Sequence, residues 1–482
     1  MDSVSLLRPV SGMSTHATAR DFRGLNVHMI GIGGSGMAGL AAVLLRCGAR
    51  VSGSDCAPSG ALARLQSSGA KISTRQDADA LPLDAELVVA SAAIPASHPE
   101  LVEARRRGIE VHKYAQLLGA LLAQRDGIAI SGTHGKSTTT AWTAFVLRQA
   151  GLDPCFVVGA DCEQLGGGSG VGDGKHFVAE ACEYDRSFLN LRPKLAAILN
   201  IEEDHLDCYA DLEEIAEAFR QFAQTVPNDG LLVLNGADER CRQIAATVGR
   251  PFEFFGFADT DTWQARDAEL HDGCHRFTVA YRGAALGRIQ LQIPGRHNVL
   301  NALAVCALTR RAGVPWPALA DILPRFHGAR RRLELRGEEA GILVADDYAH
   351  HPTEIRATLA AARERFSPRR VWCVFQPHQH SRTRFLLEDF ADSFDLADHV
   401  IVPDIYFVRD TQRDQEAVCA ADLVDRICSR GGDARYVADF SAIVEHLSQR
   451  VESGDLVLTM GAGSIWKVAD ELLRALRGNP AD

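Results

Sequence analysis

Apolar and polar positions alternate along the first quarter of the chain in a pattern that predicts strands joined by helices. Apolar stretches occur at 25–32, 50–55 and 85–92, and the segment 33–47 has the character of a helix that starts at glycine. Short apolar strands separated by helices are typical of a parallel sheet with crossover helices. We therefore predict an α/β domain at the start of the chain.

The same alternation begins again at two later points. Strand-like stretches follow at 127–131, 177–181, 195–201, 341–346, 370–375, 400–403 and 456–460, and helix-like stretches at 136–150, 212–226 and 298–312. At roughly 100–200 residues per domain, 482 residues accommodate three domains. We expect a flexible N-terminal arm at 1–22, followed by domains at 23–125, 126–329 and 330–482.

Composition narrows the class of protein without identifying it. The chain has 51 Lys and Arg against 62 Asp and Glu, a formal net charge of −11, which argues against a nucleic-acid binder. Its 12 cysteines follow no zinc-site spacing, as expected of buried thiols in a reducing compartment. Residues 1–23 lack the apolar run of a signal peptide, and no early stretch is long enough to span a bilayer. We expect a cytoplasmic protein without membrane insertion.

A glycine-rich loop follows the first predicted strand. It consists of Gly31, Ile32, Gly33, Gly34, Ser35 and Gly36, a G-x-G-x-x-G pattern at the start of a helix. Glycines in such a loop let the backbone approach a pyrophosphate, whose charge is stabilised by the helix N-terminus. Asp55 ends the next strand, where its carboxylate could bond a ribose hydroxyl. The pattern alone does not distinguish NAD from a UDP-linked ligand.

A second loop, in the next predicted domain, has the features of an ATP site. It consists of Gly132, Thr133, His134, Gly135, Lys136, Ser137 and Thr138, between a strand and a helix. In such loops backbone N–H groups cradle the phosphates, a lysine reaches the β- and γ-phosphates, and a hydroxyl binds magnesium. We assign the last two roles to Lys136 and Ser137. The match to the common phosphate-loop pattern is incomplete, because Ile130 stands where that pattern has glycine.

Two phosphate loops in one chain favour an enzyme that uses ATP and a second, nucleotide-linked substrate. An NAD-dependent oxidoreductase, which the first loop alone suggests, has no use for the second loop. A nucleotide-sensing regulatory protein without catalysis is a third hypothesis. The intact set of Lys136, Ser137, Glu183 and His205 argues against it.

A series of sequence blocks resembles the Mur ligase family, in the family's order and over nearly the whole chain. Besides the ATP loop, the blocks are 28–37, 52–55, 91–95, 180–188, 200–207, 295–302, 346–354 and 376–384. Blocks 28–37, 346–354 and 376–384 resemble the alanine-adding branch. Some positions depart from the family pattern: Cys182 and Tyr184 stand for Asp and Ser, Ala349 for Gly, and Gln379-His380 for Arg-Tyr.

The resemblance implies a fold of three α/β domains. These are a Rossmann-like UDP-binding domain, a central P-loop-type ATPase domain and a Rossmann-like C-terminal domain that closes over the site. It also implies an ATP- and Mg²⁺-dependent ligase that joins L-alanine to the lactyl carboxylate of UDP-N-acetylmuramate through an acyl phosphate, in peptidoglycan precursor synthesis. A murein-tripeptide-recycling ligase of the same family is the alternative. We expect a monomer or a weak homodimer.

The resemblance also implies the site residues. For catalysis they are Lys136, His205, Asp346, His350 and Arg382. For ATP they are the loop from Gly132 to Thr138 with His297, Asn298, Asn301 and Arg331. For the UDP-linked substrate they are the first glycine loop, Asp55, Ser91 and Arg384, and for magnesium Ser137, Glu183 and His205. Several cations in this set match the chemistry, because phosphoryl transfer to a carboxylate brings negative charges together.

Overall fold

Three β-sheets follow one another along the chain in the computed structural model, which describes residues 21–57, 59–408 and 410–478. The predicted N-terminal arm lies outside the described residues except for Asp21 and Phe22, and Phe22 packs into the first hydrophobic core. Among the helices of these described ranges, none is long and apolar enough to cross a membrane.

The first sheet is parallel throughout. Its strands are β1 (Asn26–Ile30), β2 (Arg50–Ser54), β3 (Lys71–Ser73), β4 (Leu87–Ala90) and β5 (Glu110–Lys113), and its helices are α1 (Ser35–Arg46), α2 (Gly60–Ser67), α3 (Pro99–Arg106) and α4 (Tyr114–Leu122), with a 3₁₀ turn at Ala78–Ala80. The strand order β3-β2-β1-β4-β5 reverses direction beside β1. Ligands of such sheets bind at the carboxyl ends of the strands at this switch point, where the first glycine loop lies.

The second sheet combines a parallel centre with antiparallel edges. Its strands are β6 (Asp126–Ser131), β7 (Cys155–Val157), β8 (Ser169–Gly170), β9 (His176–Glu180), β10 (Leu195–Ile198), β11 (Leu231–Asn235), β12 (Phe252–Gly256), β13 (Trp263–His271), β14 (Cys274–Tyr281) and β15 (Ala284–Gln290). Its helices are α5 (Lys136–Gln149), α6 (Leu212–Gln224), α7 (Glu239–Thr247), α8 (Arg296–Arg311) and α9 (Trp316–Ile322), with 3₁₀ turns at Glu163–Leu165, Tyr184–Asn190 and Leu323–Arg325. The strand order is β15-β14-β13-β12-β11-β10-β6-β9-β7-β8. Helices α5 and α8 share one core, which fixes the ATP loop against the start of α8.

The third sheet is parallel except for one edge. Its strands are β16 (Glu334–Glu339), β17 (Ile342–Asp347), β18 (Val371–Phe375), β19 (His399–Val402), β20 (Ala434–Tyr436) and β21 (Leu456–Met460). Its helices are α10 (Pro352–Phe366), α11 (His380–Phe385), α12 (Leu387–Ala391), α13 (Gln412–Ala417), α14 (Ala420–Ser429), α15 (Phe440–Ser448) and α16 (Trp466–Leu476). The order is β16-β17-β21-β18-β19-β20, with β16 antiparallel to β17. The predicted arrangement of three α/β units is confirmed.

Candidate functional site

Two cavities flank the start of α5. The larger, of about 840 Å³, is lined by residues from the regions of all three sheets, including Gly33, Lys136, His205, His350 and Arg382. The smaller, of about 170 Å³, lies between the second and third regions. Gly135 lines both cavities, so the ATP loop separates them.

The ATP loop presents the free end of a helix to these cavities. Gly135, the residue before α5, has φ +80°, a conformation that favours glycine. The N–H of Thr139 is the first to bond a carbonyl of this turn, that of Gly135, at 3.0 Å. The preceding N–H groups of the first turn therefore point out of the helix, as an anion site requires.

Two backbone N–H groups of the loop already donate hydrogen bonds within the protein. The N–H of Thr133 donates to the Asn200 carbonyl at 3.0 Å, and that of His134 donates to Asn200 Oδ1 at 2.7 Å. Gly132 has φ +141°, and a Cβ there would lie 3.0 Å from Leu199 Cβ. This half of the loop is fixed to the strand end of β10. The amides from Gly135 to Thr138 remain to meet a phosphate.

Lys136 is the lysine of the ATP loop and lines the larger cavity. Its Nζ donates to the carbonyls of Gly132 at 2.6 Å and Thr133 at 2.9 Å, and to Glu183 Oε1 at 2.9 Å. Burial acts to lower the pKa of Lys136, but the Glu183 carboxylate outweighs it and raises this pKa above its ordinary value. The ammonium therefore stays charged at neutral pH.

Two of the predicted magnesium ligands, Glu183 and His205, come together beside Lys136, and the third, Ser137, follows Lys136 in α5. Glu183 is 2% exposed, and its Oε2 is buried without a hydrogen-bond partner among the described residues, as is Nδ1 of His205. A buried carboxylate oxygen without a donor is costly unless a cation binds it. Oxygen ligands such as Glu183 and the Ser137 hydroxyl suit magnesium. These residues therefore fit the ion.

His205 occupies an unusual backbone conformation. Its φ is +55°, which is uncommon outside glycine and found at functional sites. Its Nε2 lies 3.7 Å from Glu183 Oε1, and its ring meets the edge of Tyr184. Burial lowers the pKa of His205, with nearby Asp204 and Glu183 opposing this effect. A neutral imidazole is the form that a metal ligand requires.

The first glycine loop is braced by Asp55. The N–H of Gly33 donates to Asp55 Oδ2 at 2.8 Å, and that of Ala57 donates to Oδ1 at 3.0 Å. A Cβ at Gly33 would lie 2.8 Å from the same carboxylate. In this structure Asp55 Oδ2 accepts from the glycine loop and Oδ1 accepts from Ala57, and the ribose contact of Asp55 stays a prediction.

Two other glycines of this loop, Gly31 and Gly36, lie against side chains of the first region. Gly31 has φ +75°, and a Cβ there would lie 3.3 Å from Ser91 Cβ. Gly34 precedes α1, and a Cβ at Gly36 would lie 2.9 Å from the Tyr114 hydroxyl. The backbone of Ser35 begins α1, and its side chain lies outside the described part of the structure. Gly33 alone of this loop reaches the larger cavity as the described residues define it.

The smaller cavity contains the predicted adenine contacts. His297, Asn298 and Asn301, at the start of α8, line it together with apolar Phe255 and Ile293. Asn301 Nδ2 donates to Asn298 Oδ1 at 2.9 Å. A Cβ at Gly135 would lie 2.9 Å from Asn301 Oδ1, so α8 packs directly on the ATP loop. A flat, partly apolar base could occupy this pocket.

In the third region, His350 faces the larger cavity. Its N–H donates to Glu354 Oε2 at 3.0 Å, and its Nδ1 lies 3.1 Å from the Tyr348 carbonyl. Burial lowers the pKa of His350 to about 4, although Glu354 acts to raise it. The ring is therefore neutral near pH 7, with Nδ1–H donating to the carbonyl and Nε2 able to accept a hydrogen bond.

Arg382 joins the third region to the second. Its Nε and Nη2 donate to Asp204 Oδ1 at 3.0 and 2.7 Å, and both side chains are buried. Burial acts to raise the pKa of Asp204, but Arg382 holds it well below its usual range.

Arg384, two residues further along α11, is exposed, and its Nη2 pairs with Asp414 Oδ1 at 3.4 Å. The structure does not bring Arg384 to the larger cavity as lined by the described residues.

The pair Arg331 and Asp346 connects β17 to the carboxyl end of β21. Asp346 is fully buried, and its oxygens accept from Arg331 Nε at 2.8 Å and Thr459 Oγ1 at 2.7 Å. Burial raises the pKa of Asp346, with Arg331 opposing this effect. Arg331 Nη2 also donates to the Gly461 carbonyl at 2.6 Å. Both residues also line the larger cavity, so the roles predicted for Asp346 in catalysis and for Arg331 in ATP binding stay predictions.

The neighbours Arg332 and Asp347, which sequence reasoning missed, also line the cavities beside the ATP loop. Arg332 lines both cavities, and its Nη2 lies 3.4 Å from Ser137 Oγ. Asp347 lines the smaller cavity, and burial raises its pKa to about 6. Successive residues of a strand point to opposite faces. That alternation is the only signal that could have separated Asp346 from Asp347.

Three family models match the chain in succession. They are the Mur ligase family catalytic domain at 26–126, the Mur ligase middle domain at 130–309 and the Mur ligase glutamate ligase domain at 331–463.

Full-length relatives agree with these matches. The chain is 43% identical to a UDP-N-acetylmuramate–L-alanine ligase of Caldanaerobacter subterraneus, covering 93% of this chain and 97% of the relative. It is 45% identical to the protein of that name from Pelotomaculum thermopropionicum, over 94% and 98%. A crystal structure of the Thermotoga maritima UDP-N-acetylmuramate–alanine ligase superposes with a TM-score of 0.80 at 28% identity, covering 94% of this chain and 99% of that chain. The chain therefore belongs to the Mur ligase family.

Proposed function

We propose that this chain is an ATP-dependent ligase that forms an amide between the lactyl carboxylate of UDP-N-acetylmuramate and the amine of L-alanine, in peptidoglycan precursor synthesis. The observation that carries this function is the larger cavity. It joins the glycine loop of the first sheet, the Lys136–Glu183–His205 cluster and the third-region residues His350 and Arg382 in one space. The full-length relatives that are 43% and 45% identical carry the name of this activity.

The two cavities suggest how the substrates are arranged. The adenine of ATP would occupy the smaller cavity beside Asn298 and Asn301, and the phosphates would lie over the amides from Gly135 to Thr138. The UDP-sugar would enter from the first glycine loop, with its lactyl carboxylate directed towards Lys136. This places the γ-phosphate and the carboxylate at the same end of α5, where the helix dipole stabilises both.

The chain's own charges perform most of the chemistry. Lys136 and Arg332 neutralise the phosphate that passes to the carboxylate oxygen, which gives ADP and an acyl phosphate. A magnesium ion held by Ser137 and Glu183, with His205 near a second ion, would supply further charge neutralisation when bound. Nε2 of neutral His350 can accept a hydrogen bond from the alanine ammonium and help to orient the amine. Alanine reacts as its free amine once the ammonium has given a proton to solvent. The nitrogen attacks the acyl carbon, the bond from that carbon to the phosphate oxygen breaks, and inorganic phosphate leaves as the nitrogen gives up a second proton.

The murein-tripeptide ligase remains the nearest competing activity. A murein peptide ligase from Psychrobacter arcticus superposes with a TM-score of 0.72 at 27% identity, covering 95% of this chain and 100% of that chain. Its fold agreement, measured by the TM-score, is weaker than the 0.80 of the alanine ligase.

The cytoplasm is the compartment where nucleotide-linked substrates and ATP are found together, so we propose that the protein is located there.

ADP formation by the purified chain tests the function. We expect ADP with UDP-N-acetylmuramate and L-alanine together, and little when either is omitted. Murein tripeptide in place of L-alanine is the matched comparison, and NAD with a reductase assay covers the oxidoreductase alternative. Faster ADP formation with the tripeptide than with L-alanine would reassign the chain to the recycling activity.

A further inference from the structure

Two imidazoles and one carboxylate converge where the second and third regions meet, and one of the imidazoles, His134, belongs to the ATP loop. His134 Nε2 lies 3.5 Å from Glu202 Oε2, and His351 Nδ1 lies 4.0 Å from the same oxygen. The three ligand-type atoms lie within 4.8 Å of one another. A tetrahedral zinc ion with bonds of roughly 2.0–2.1 Å separates its ligands by about 3.4 Å. Small side-chain movements would therefore bring these atoms to bonding distance.

The second nitrogen of each ring is held by an oxygen. His351 Nε2 lies 3.0 Å from the Glu203 carbonyl, and His134 Nδ1 lies 3.2 Å from Glu354 Oε1. Metal-binding histidines commonly donate the N–H of the other ring nitrogen to a carbonyl or carboxylate, which fixes the tautomer and orients the ring. His134 Nε2 is buried and has no hydrogen-bond partner among the described residues. It faces Glu202 Oε2 at 3.5 Å without forming a hydrogen bond to it.

We propose that His134, His351 and Glu202 form a binding site for zinc(II), distinct from the magnesium site at Ser137 and Glu183. Two histidines and one glutamate are the ligands of zinc sites that keep a fourth position open. Magnesium prefers oxygen ligands and would not compete well here.

The surroundings of the cluster are compatible with a cation. Glu354, next to His134, adds a second negative charge. Thr353 Oγ1 donates to Glu202 Oε2 at 2.6 Å, and the Thr353 N–H lies 3.3 Å from His351 Nδ1. The first contact can remain when the carboxylate binds a metal, whereas the second must give way. Because His351 belongs to the third region and the other two ligands to the second, a bound ion would link the two regions.

Zinc binding can be measured on the chelator-treated full chain, by calorimetry with zinc chloride alone in a magnesium-containing buffer. We expect one equivalent to bind in the wild type and in the control His327→Gln, which removes an exposed histidine. That equivalent should be lost in His351→Gln and in Glu202→Gln. Glu354→Gln should keep the stoichiometry and weaken the affinity roughly 10–100-fold, as expected for the loss of an outer hydrogen-bond partner.

Cobalt(II) in place of zinc identifies the ligands by absorption spectroscopy. This is necessary because Cys56, Cys182, Cys419 and Cys428 are exposed and could bind zinc themselves. We expect the visible bands of tetrahedral cobalt without thiolate charge-transfer bands, and their loss in Glu202→Gln. Circular dichroism checks the fold, and if His351→Gln does not fold, the Glu202→Gln spectrum decides. Thiolate bands in the wild type, or equal zinc binding in wild type and folded variants, would overturn the proposal.

Discussion

Replacing Lys136 should separate its role in catalysis from its role in stability. In the wild type Glu183 is 2% exposed, and its Oε1 accepts from Lys136 Nζ at 2.9 Å. Lys136→Met leaves this buried carboxylate without its charged partner. Removing one partner of a buried ion pair costs about 3–5 kcal/mol. His205 Nε2 lies 3.7 Å from the same oxygen and can take up a proton to replace part of the lost positive charge. We therefore expect the lower end of this range, a loss of about 3 kcal/mol. For a unit of 150–250 residues this corresponds to a fall in Tm of about 6–12 °C.

The double variant Lys136→Met with Glu183→Gln provides the control. It removes both charges, so most of the lost thermal stability should return, since no unpaired buried carboxylate remains. ADP formation should nevertheless stay at least about 10²-fold below wild type in both variants, because a cation aimed at the transferred phosphate is missing. Calorimetric melting and an ADP assay measure the two effects. Recovery of activity in the double variant, or near-normal activity in Lys136→Met, would refute the assignment of the ATP loop.

Three further outcomes are expected. Arg382→Ala leaves buried Asp204 unpaired at the contact between the second and third regions, which should lower the free energy of unfolding by about 3–5 kcal/mol. Steady-state kinetics should show turnover reduced by more than about 10²-fold, and wild-type kinetics would contradict the role of this contact. In the zinc-free protein, burial lowers the pKa of His134, but Glu202 and Glu354 outweigh it and raise the pKa to about 9, so zinc must displace a proton from this ring. The stability that this imidazolium provides is therefore complete below about pH 6.5 and lost as pH rises towards 9, so melting curves of His134→Gln should lack this decline. Small-angle scattering should show that Mg²⁺, a non-hydrolysable ATP analogue and UDP-N-acetylmuramate together make the protein more compact than the free protein. An unchanged radius of gyration, with binding confirmed, would argue against closure of the third domain over the site.

The sequence predicted several of the buried strands in the second and third sheets. β6, β17, β18 and β21 are short apolar stretches, and each occurs within a residue or two of its predicted position. The prediction omitted the strands from β11 to β15. Four of the nine residues of β13 and three of the seven residues of β15 are exposed, so their apolar positions give a weak pattern. β11 is buried throughout and does have the pattern, which could have been recognised.

The site was predictable where its chemistry is local in sequence. The ATP loop combines strand, glycines, lysine and hydroxyl in seven consecutive residues, and the structure places them at the start of α5. The contact between Arg382 and Asp204 joins residues 178 positions apart, which no spacing rule specifies. The choice between Asp346 and Asp347 depends on which face of β17 meets the ATP loop. That orientation is decided by the packing of β17 between two cores.

The oxygen atoms of the lactyl carboxylate test the central mechanism most directly. UDP-N-acetylmuramate labelled with ¹⁸O at both carboxylate oxygens is incubated with ATP, Mg²⁺, L-alanine and the purified chain, and the products are analysed by mass spectrometry. If the carboxylate attacks the γ-phosphate and alanine then displaces phosphate from the acyl carbon, each inorganic phosphate carries one ¹⁸O and the amide keeps the other. Phosphate without ¹⁸O, formed together with the amide, would contradict the acyl-phosphate route.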